Sequence, residues 1–269
     1  MQSQFVRPPA VAGTFYPSNS HELSNLIQHY FSQTKNEHKS VHGQPKALIC
    51  PHAGYIYSGP VAATAYGLLK PYKDRIKKVV LLGPGHRLPI EGLALSHYEA
   101  FNTPLGSIPI DLKMVEKIKK FPQVAYSDAA HSQEHSLEVH LPFLQTVLAE
   151  FSLLPLVVGD ASPEEVATVL QAVWGGNETL IVISSDLSHY LPYTQAQKID
   201  QLTSQAIEKL RYQEISYDQA CGRIPIQGLL VEAKRLGLKG SILDLRNSGD
   251  TSGSKDQVVG YGAYAFSQP

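Results

Sequence analysis

The sequence predicts an α/β fold: a mostly parallel central sheet flanked by helices. Two observations carry this. Short apolar runs rich in β-branched residues recur along the chain, and amphipathic segments with helix-capping residues alternate with them. Runs that are apolar throughout fit strands covered on both faces, as in parallel sheets.

The first helix is expected after Asn19 and Ser20, which can cap a segment placing Leu23, Leu26, Ile27, Tyr30 and Phe31 on one face. Residues 35–44 read as a polar loop. The candidate strands are Ala47 to Cys50, Lys78 to Gly83, Leu153 to Val158, Thr179 to Ser184, Ser241 to Leu245 and Val258 to Phe266. Between them, helices are expected near Val61 to Leu69, Leu112 to Lys120, Leu137 to Glu150 with a kink or restart at Pro142, Tyr193 to Leu210 and Ile226 to Leu236. Ser162-Pro163-Glu164-Glu165 gives the strongest start signal, with a cap, a proline at the first helical position and a glutamate three residues after the cap.

The chain has 269 residues, 23 basic and 24 acidic side chains, and a formal charge of −1. Without a basic stripe, neither nucleic acid nor an acidic membrane surface is expected as partner. No apolar stretch reaches the roughly 18 residues of a membrane span. Residues 1–7 lack an apolar export segment, so a cytoplasmic location is the expectation. The two cysteines, Cys50 and Cys221, are too few for a disulfide framework.

In parallel sheets ligands gather beyond the carboxyl ends of the strands. Three predicted strands end there in a histidine: Pro51-His52, Gly85-His86 and Ser185-Asp186-Leu187-Ser188-His189. Several neutral imidazoles converging on one rim suit a transition metal. No His-Glu-x-x-His spacing is present, so such a site is assembled from distant segments. Cys221 precedes the last predicted helix, where the helix dipole and Arg223 are expected to favour its thiolate. Cys50 reads as a core residue. In residues 131–142, Glu134 and Glu138, and likewise His131 and His135, are expected to share helical faces, with His135 entering the rim as acid or base.

Three weaker patterns are set aside. Gly260-Tyr261-Gly262 lacks the third glycine of a dinucleotide turn and reads as a strand. Residues 249–255 have the wrong spacing for a phosphate loop and read as a turn. Asp186, Ser188 and His189 lie too close in sequence for a triad.

The motifs Ala12-Gly13-Thr14-Phe15-Tyr16, Pro51-His52-Ala53-Gly54-Tyr55, Leu82-Gly83-Pro84-Gly85-His86, residues 134–142, residues 184–189 and Cys221-Gly222-Arg223 occur in one order along nearly the whole chain. This set resembles the Memo family. The resemblance implies one domain over residues 1–269, with a fold similar to the LigB-type class III extradiol dioxygenases and a pocket at the carboxyl edge of the sheet. It implies metal ligation by His52, His86 and Cys221, with Fe(II) or copper as cofactor and zinc as an alternative. Asp186 and His189 stand beside them, His189 oriented by Asp186 and serving with His135 in proton transfer. Phe15, Tyr16, Tyr55 and Arg223 are the expected substrate contacts, Phe15 standing where vertebrate relatives carry tryptophan. A thiolate in place of the dioxygenases' carboxylate is softer, favours Cu(I) or zinc and donates more strongly to iron.

The function expected is thus a metal-dependent oxidoreductase acting on an unidentified small molecule. The rival is a binding module that recognises a peptide or anionic ligand through the same pocket, as described for vertebrate relatives. Metal-assisted hydrolysis ranks last. Prokaryotic relatives suggest a radical-SAM enzyme and an AMMECR-type protein as partners.

Overall fold

Burial on both faces decides where the central strands form. In the computed structural model, which describes residues 5–34, 41 and 43–268, the chain begins with β1 (Val6–Arg7), α1 (Ser20–Gln33), β2 (Ala47–Cys50) and α2 (Tyr55–Gly67). There follow β3 (Lys78–Pro84), β4 (Leu93–Leu95), the hairpin β5 (Ala100–Thr103) and β6 (Gly106–Pro109), α3 (Leu112–Ile118) and β7 (Val124–Tyr126). Three short helices come next: α4 (Asp128–Ser132), α5 (His135–Glu138) and α6 (Leu141–Val147). The second half holds β8 (Ser152–Val158), α7 (Pro163–Val173), β9 (Thr179–Ser184), β10 (His189–Leu191) and α8 (Tyr193–Glu208). The chain closes with α9 (Arg223–Arg235), β11 (Lys239–Asn247), α10 (Ser248–Thr251) and β12 (Val258–Ser267).

A nine-stranded sheet runs in the order β10-β12-β2-β9-β3-β8-β4-β7, with β11 paired to β12, and β1, β5 and β6 form a separate three-stranded sheet. The central strands β2, β9, β3 and β8 are mutually parallel, while β12 and β4 join them antiparallel on either side. The sheet is therefore parallel at its heart with an antiparallel join on either side, and β4 and β7 form a second parallel pair at one edge. Every side chain of β2 and β9 is buried. Burying each large aliphatic side chain contributes about 1.5–3 kcal/mol, enough to fix the register of these strands.

The predicted boundaries of β2 and β9 match the observed ones. Helix α1 has Asn19 as cap and α7 has the full Ser162–Glu165 capping box. Four readings change. The helix expected near Val61 to Leu69 runs over Tyr55–Gly67. The segment expected as one helix from Leu137 to Glu150 is two, α5 and α6, broken before Pro142. The last long helix starts at Arg223 rather than Ile226. The turn expected at residues 249–255 includes the four-residue helix α10. Residues 35–40 and 42 of the expected loop lie outside the described residues.

The break among α4, α5 and α6 has a partner far away in sequence. Arg7 is buried and donates from Nε to the His131 carbonyl (2.7 Å), from Nη2 to the Glu134 carbonyl (2.8 Å) and from Nη1 to Glu138 Oε2 (2.6 Å). It thereby adds a charged donor to the carbonyls at the end of α4 and at the cap of α5. Glu138 also accepts from the amides of Ala10 (2.7 Å) and Val11 (2.9 Å) and from the Tyr16 hydroxyl (2.6 Å). Glu134 and Glu138 thus do not share an exposed helical face; Glu134 caps α5 and Glu138 lies in this knot. Among the described residues no helix is long and apolar enough to cross a membrane.

Candidate metal centre

Because β2, β3 and β9 are parallel, their carboxyl ends open at the same edge, and the loops that follow bring His52, His86 and residues 185–189 there. A fourth element, the start of α5, adds Glu134 and His135, and the turn before α9 adds Cys221. Two glycines allow the close approach. A Cβ on Gly83 would lie 2.8 Å from Ser136 Oγ and 3.1 Å from Ser184 Cβ; one on Gly222 would lie 2.4 Å from the Ser184 carbonyl and 2.6 Å from Ser185 Cβ.

The proton positions on two rings follow from their partners. Ser184 Oγ lies 2.6 Å from the Ser136 carbonyl and 2.6 Å from His52 Nδ1. A carbonyl only accepts, so the single hydroxyl proton goes to it and His52 Nδ1 must donate to Ser184 Oγ. That leaves the His52 Nε2 lone pair free. Glu134 does the same for His86: Oε2 accepts from the His86 amide (2.6 Å), and Oε1 accepts from the Ser136 amide and lies 2.9 Å from His86 Nδ1. Burial pushes the Glu134 carboxyl up, but the His86 ring and these amides outweigh it and hold it at about 2. The ionised carboxylate is acceptor only, so His86 Nδ1 donates and its Nε2 is bare.

His135 completes the cluster. Its ring stacks on His86 at 4.7 Å and meets His52 edge-on at 5.4 Å; the His52 and His86 rings are 5.1 Å apart. One ligand atom from each of the three lies within 4.8 Å of the others. His135 Nδ1 is buried without a hydrogen-bond partner, 3.4 Å from Glu134 Oε1. Burial lowers His135 to about 4, and burial with the neighbouring imidazoles holds His52 well below its ordinary value. Two Nε2 lone pairs, that of His52 meeting the Cys221 thiol at 3.3 Å, and an orphaned ring nitrogen in one place suit a transition metal ion, which accepts lone pairs from neutral imidazoles.

Cys221 Sγ lies 3.3 Å from His52 Nε2, accepts from the Asp186 amide at 3.3 Å and is 3.9 Å from Ser185 Oγ. It therefore touches the site at His52, while the three ligand atoms that the structure gathers are those of His52, His86 and His135, with His135 in the place expected for Cys221. The expected thiolate does not form in the free site: burial first, then Asp186, pushes the thiol up to about 12, and α9 begins two residues further on. Local desolvation outweighs the helix dipole.

Asp186 is buried, accepts from the His52 amide (2.8 Å), and lies 3.9 Å from His52 Nε2; burial raises its carboxyl to about 7. It does not orient His189 as expected. The Leu187 carbonyl takes that part, at 2.8 Å from His189 Nδ1. His189 is exposed at the cleft rim, and partial desolvation lowers its pKa.

Of the expected substrate contacts, Phe15 packs against His135 with ring centres 4.8 Å apart, and Arg223 lines the cleft. Tyr16 and Tyr55 do not face it. Both are buried, with hydroxyls committed to Glu138 and to the Val139 carbonyl (2.7 Å), so their work is internal. His131 is likewise apart from the cluster, its Nε2 on the Ala94 carbonyl at 2.8 Å. Beside the cluster, on its His86 side, opens a cleft of about 850 Å³, lined among others by His86, His189, Tyr217, Cys221 and Arg223 but not by His52 or His135. Sequence reading missed the orienting parts of Ser184 and Glu134; the signal that marks Ser184 is a buried hydroxyl at the carboxyl end of a strand with an apolar centre.

The Memo family profile, described as "Memo-like protein", matches residues 7–265. The chain belongs to the Memo family. It is similar to a "MEMO1 family protein" of Aquifex aeolicus (strain VF5), 40% identical over 267 residues, covering 95% of this chain and 97% of the relative. A "MEMO1 family protein" of Methanosarcina mazei is 37% identical over 274 residues, covering 96% and 98%. One from Sulfolobus acidocaldarius is 33% identical over 282 residues, covering 97% and 99%. Among solved structures, the chain is similar to "uncharacterized protein JW3007 from Escherichia coli K12", with a TM-score of 0.52 and 14% identity over 80% of this chain and 98% of the other. That likeness concerns the fold alone, a mixed α/β domain with a central sheet flanked by helices.

Proposed function

We propose that this Memo family protein binds an iron or copper ion at the histidine cluster and carries out oxidoreductase chemistry on a small organic substrate. His52, His86 and Cys221 hold the ion in this reading, with His135 as a neighbouring donor. The observation that carries it is the disposal of protons: both Nδ1 hydrogens are given away inside the protein, leaving two Nε2 lone pairs beside a sulfur and an unpartnered third ring. When bound, the ion would supply electron exchange and Lewis acidity.

The chain's own groups handle position and protons. Glu134 and Ser184 fix two rings in one tautomer. Asp186, raised to about 7, holds or releases a proton near neutral pH beside His52. His189, its Nδ1 committed to Leu187, offers Nε2 as a base at the rim. The neighbouring thiol proton faces the His52 Nε2 and the Asp186 carbonyl, at 3.3 and 3.6 Å. Recognition of an anion by these histidines suits the arrangement less well, because the clustered rings of His52 and His86 present acceptors.

Metal analysis of anaerobically purified protein tests the reading. Iron or copper near stoichiometric with the chain, lost in His52→Ala and Cys221→Ser variants that keep their circular dichroism, is the expected result. Oxygen uptake with catechols then probes turnover. No bound transition metal, or uptake indifferent to both substitutions, removes the proposal.

A further inference from the structure

We infer that the cleft beside the histidine cluster takes a small organic acid, a ligand with one carboxylate seated on Arg223 and an apolar body. This rests on the cleft being the working site proposed above, and it adds the substrate class.

The arginines of the chain give the first argument. Of seven, four pair with a carboxylate: Arg7 with Glu138 (2.6 Å), Arg211 with Glu214 (3.0 Å), Arg235 with Glu232 (2.6 Å) and Arg246 with Asp244 (2.7 Å). Arg75 and Arg87 do not, but both are exposed and keep their water. Arg223 is half-buried, and among the described residues its guanidinium has no carboxylate within ion-pair distance; its contact is the Tyr217 ring, 5.8 Å from Cζ. A guanidinium that has given up part of its hydration without a counter-charge is set to receive one.

The cleft supplies the rest. Its volume, about 850 Å³, lies within the range of small-molecule sites. Val158, Leu191, Ile199, Ile224 and Pro225 form apolar wall, which calls for an apolar body. Asp218 also lines it, beyond ion-pair distance from Arg223. The formal charges of these two side chains cancel, so a monoanion is accommodated and a dianion is opposed. A carboxylate meets that condition and matches the guanidinium fork in two parallel bonds. The anchor and the cluster belong to one rigid piece. Arg223 stands two residues beyond Cys221, and the intervening Gly222 amide is fastened to Ser185 Oγ at 2.9 Å. A ligand held at Arg223 reaches the same cleft wall that carries His86 and Cys221.

The test uses calorimetry and ligand-observed NMR on the full chain, metal-stripped and metal-loaded, with 3-phenylpropionate, its neutral amide and phenyl phosphate as probes. The acid should bind more tightly than the amide and the phosphate. Arg223→Gln should weaken the acid about tenfold or more and leave the amide unchanged, with Arg223→Lys between the two. Metal content should not change in Arg223→Gln. Acid binding through Arg223 in a chain that takes up no metal would sink the metal reading alone. Equal binding of acid and amide, indifference of the acid to Arg223→Gln, or no binding of any probe at millimolar concentration overturns the inference. Tighter binding of phenyl phosphate overturns the carboxylate assignment.

Discussion

Glu134 and Glu138 are four residues apart, both buried, and their surroundings use the same chemistry to opposite ends. Behind α5, Glu138 takes two amide protons, a hydroxyl proton and a guanidinium, and every partner is satisfied by another. In front of α5, Glu134 also takes every proton offered to it, yet doing so leaves its partners with unused lone pairs. A closed polar network is a structural element. One that closes on its inner side and stays open on its outer side is a site, and the difference lies in which ring nitrogens are left bare.

Acidification should break both regions, and this is the largest effect expected. His131 and His135 are held at about 4 and His140 at about 3 by burial. Their folded-state pKa values lie below the unfolded 6.5, so their contribution is whole above pH 6.5 and is withdrawn as pH falls toward 4 and 3. Glu134, depressed to about 2, adds a loss below pH 4.5. Asp186 and Asp200, raised to about 7 and about 6, act in the other direction: their contribution is present below pH 3.8 and lost as pH rises through those values. Between pH 6.5 and 4.5 the three histidines outweigh the two aspartates, and below 4.5 Glu134 adds to the loss, so urea midpoints should fall from pH 6.5 downward. A midpoint constant to pH 4.5 would show that the buried histidines tolerate charge.

Arg7→Ala comes next and separates the regions. It leaves Glu138 buried without its cation, at a cost of about 3–5 kcal/mol in chemical denaturation. Where the variant remains folded, the front of α5 should still bind metal.

Glu134→Gln and Ser184→Ala act on the other side. Ser184→Ala removes the group that takes the His52 proton, and Glu134→Gln replaces a charged acceptor by a neutral amide whose NH2 must face one of the His86 or Ser136 donors, so metal affinity should drop about 10–100-fold by competition with a chelator, with stability nearly kept for Glu134→Gln. Unchanged affinity in both would mean that the rings do not need their tautomers fixed. The smallest effect is a control far from either region: Ser162→Ala removes the α7 cap, costs about 1 kcal/mol and should leave metal uptake alone.

The sequence made the centre of the sheet legible because β2 is apolar throughout and β9 is apolar between Thr179 and Ser184, and burial on both faces needs no other code. The hairpin β5–β6 and the three-residue strands β4 and β7 went unread, since their short runs carry too little periodicity. His52 and His86 could be placed because each stands two residues beyond a legible strand. The helical face expected for residues 131–138 failed for a reason outside the window: the side chain that interrupts it, Arg7, is 127 residues from Glu134. The state of the Cys221 thiol was misread likewise, because local neighbours suggested a dipole while the folded surroundings supplied desolvation. Partners distant in the chain decide polar chemistry, and no spacing rule contains them.

Gly222 makes no bond to any ligand in the arrangement described, yet its missing side chain sets the separation between two loops that each carry chemistry. A single methyl group there would wedge the Cys221 turn off the end of β9, and sulfur and guanidinium, standing on either side of it, would retreat together. The tolerance of the whole cleft to mutation is then governed by its emptiest residue, and attempts to reshape this pocket should treat that position as fixed before altering any residue that touches a ligand.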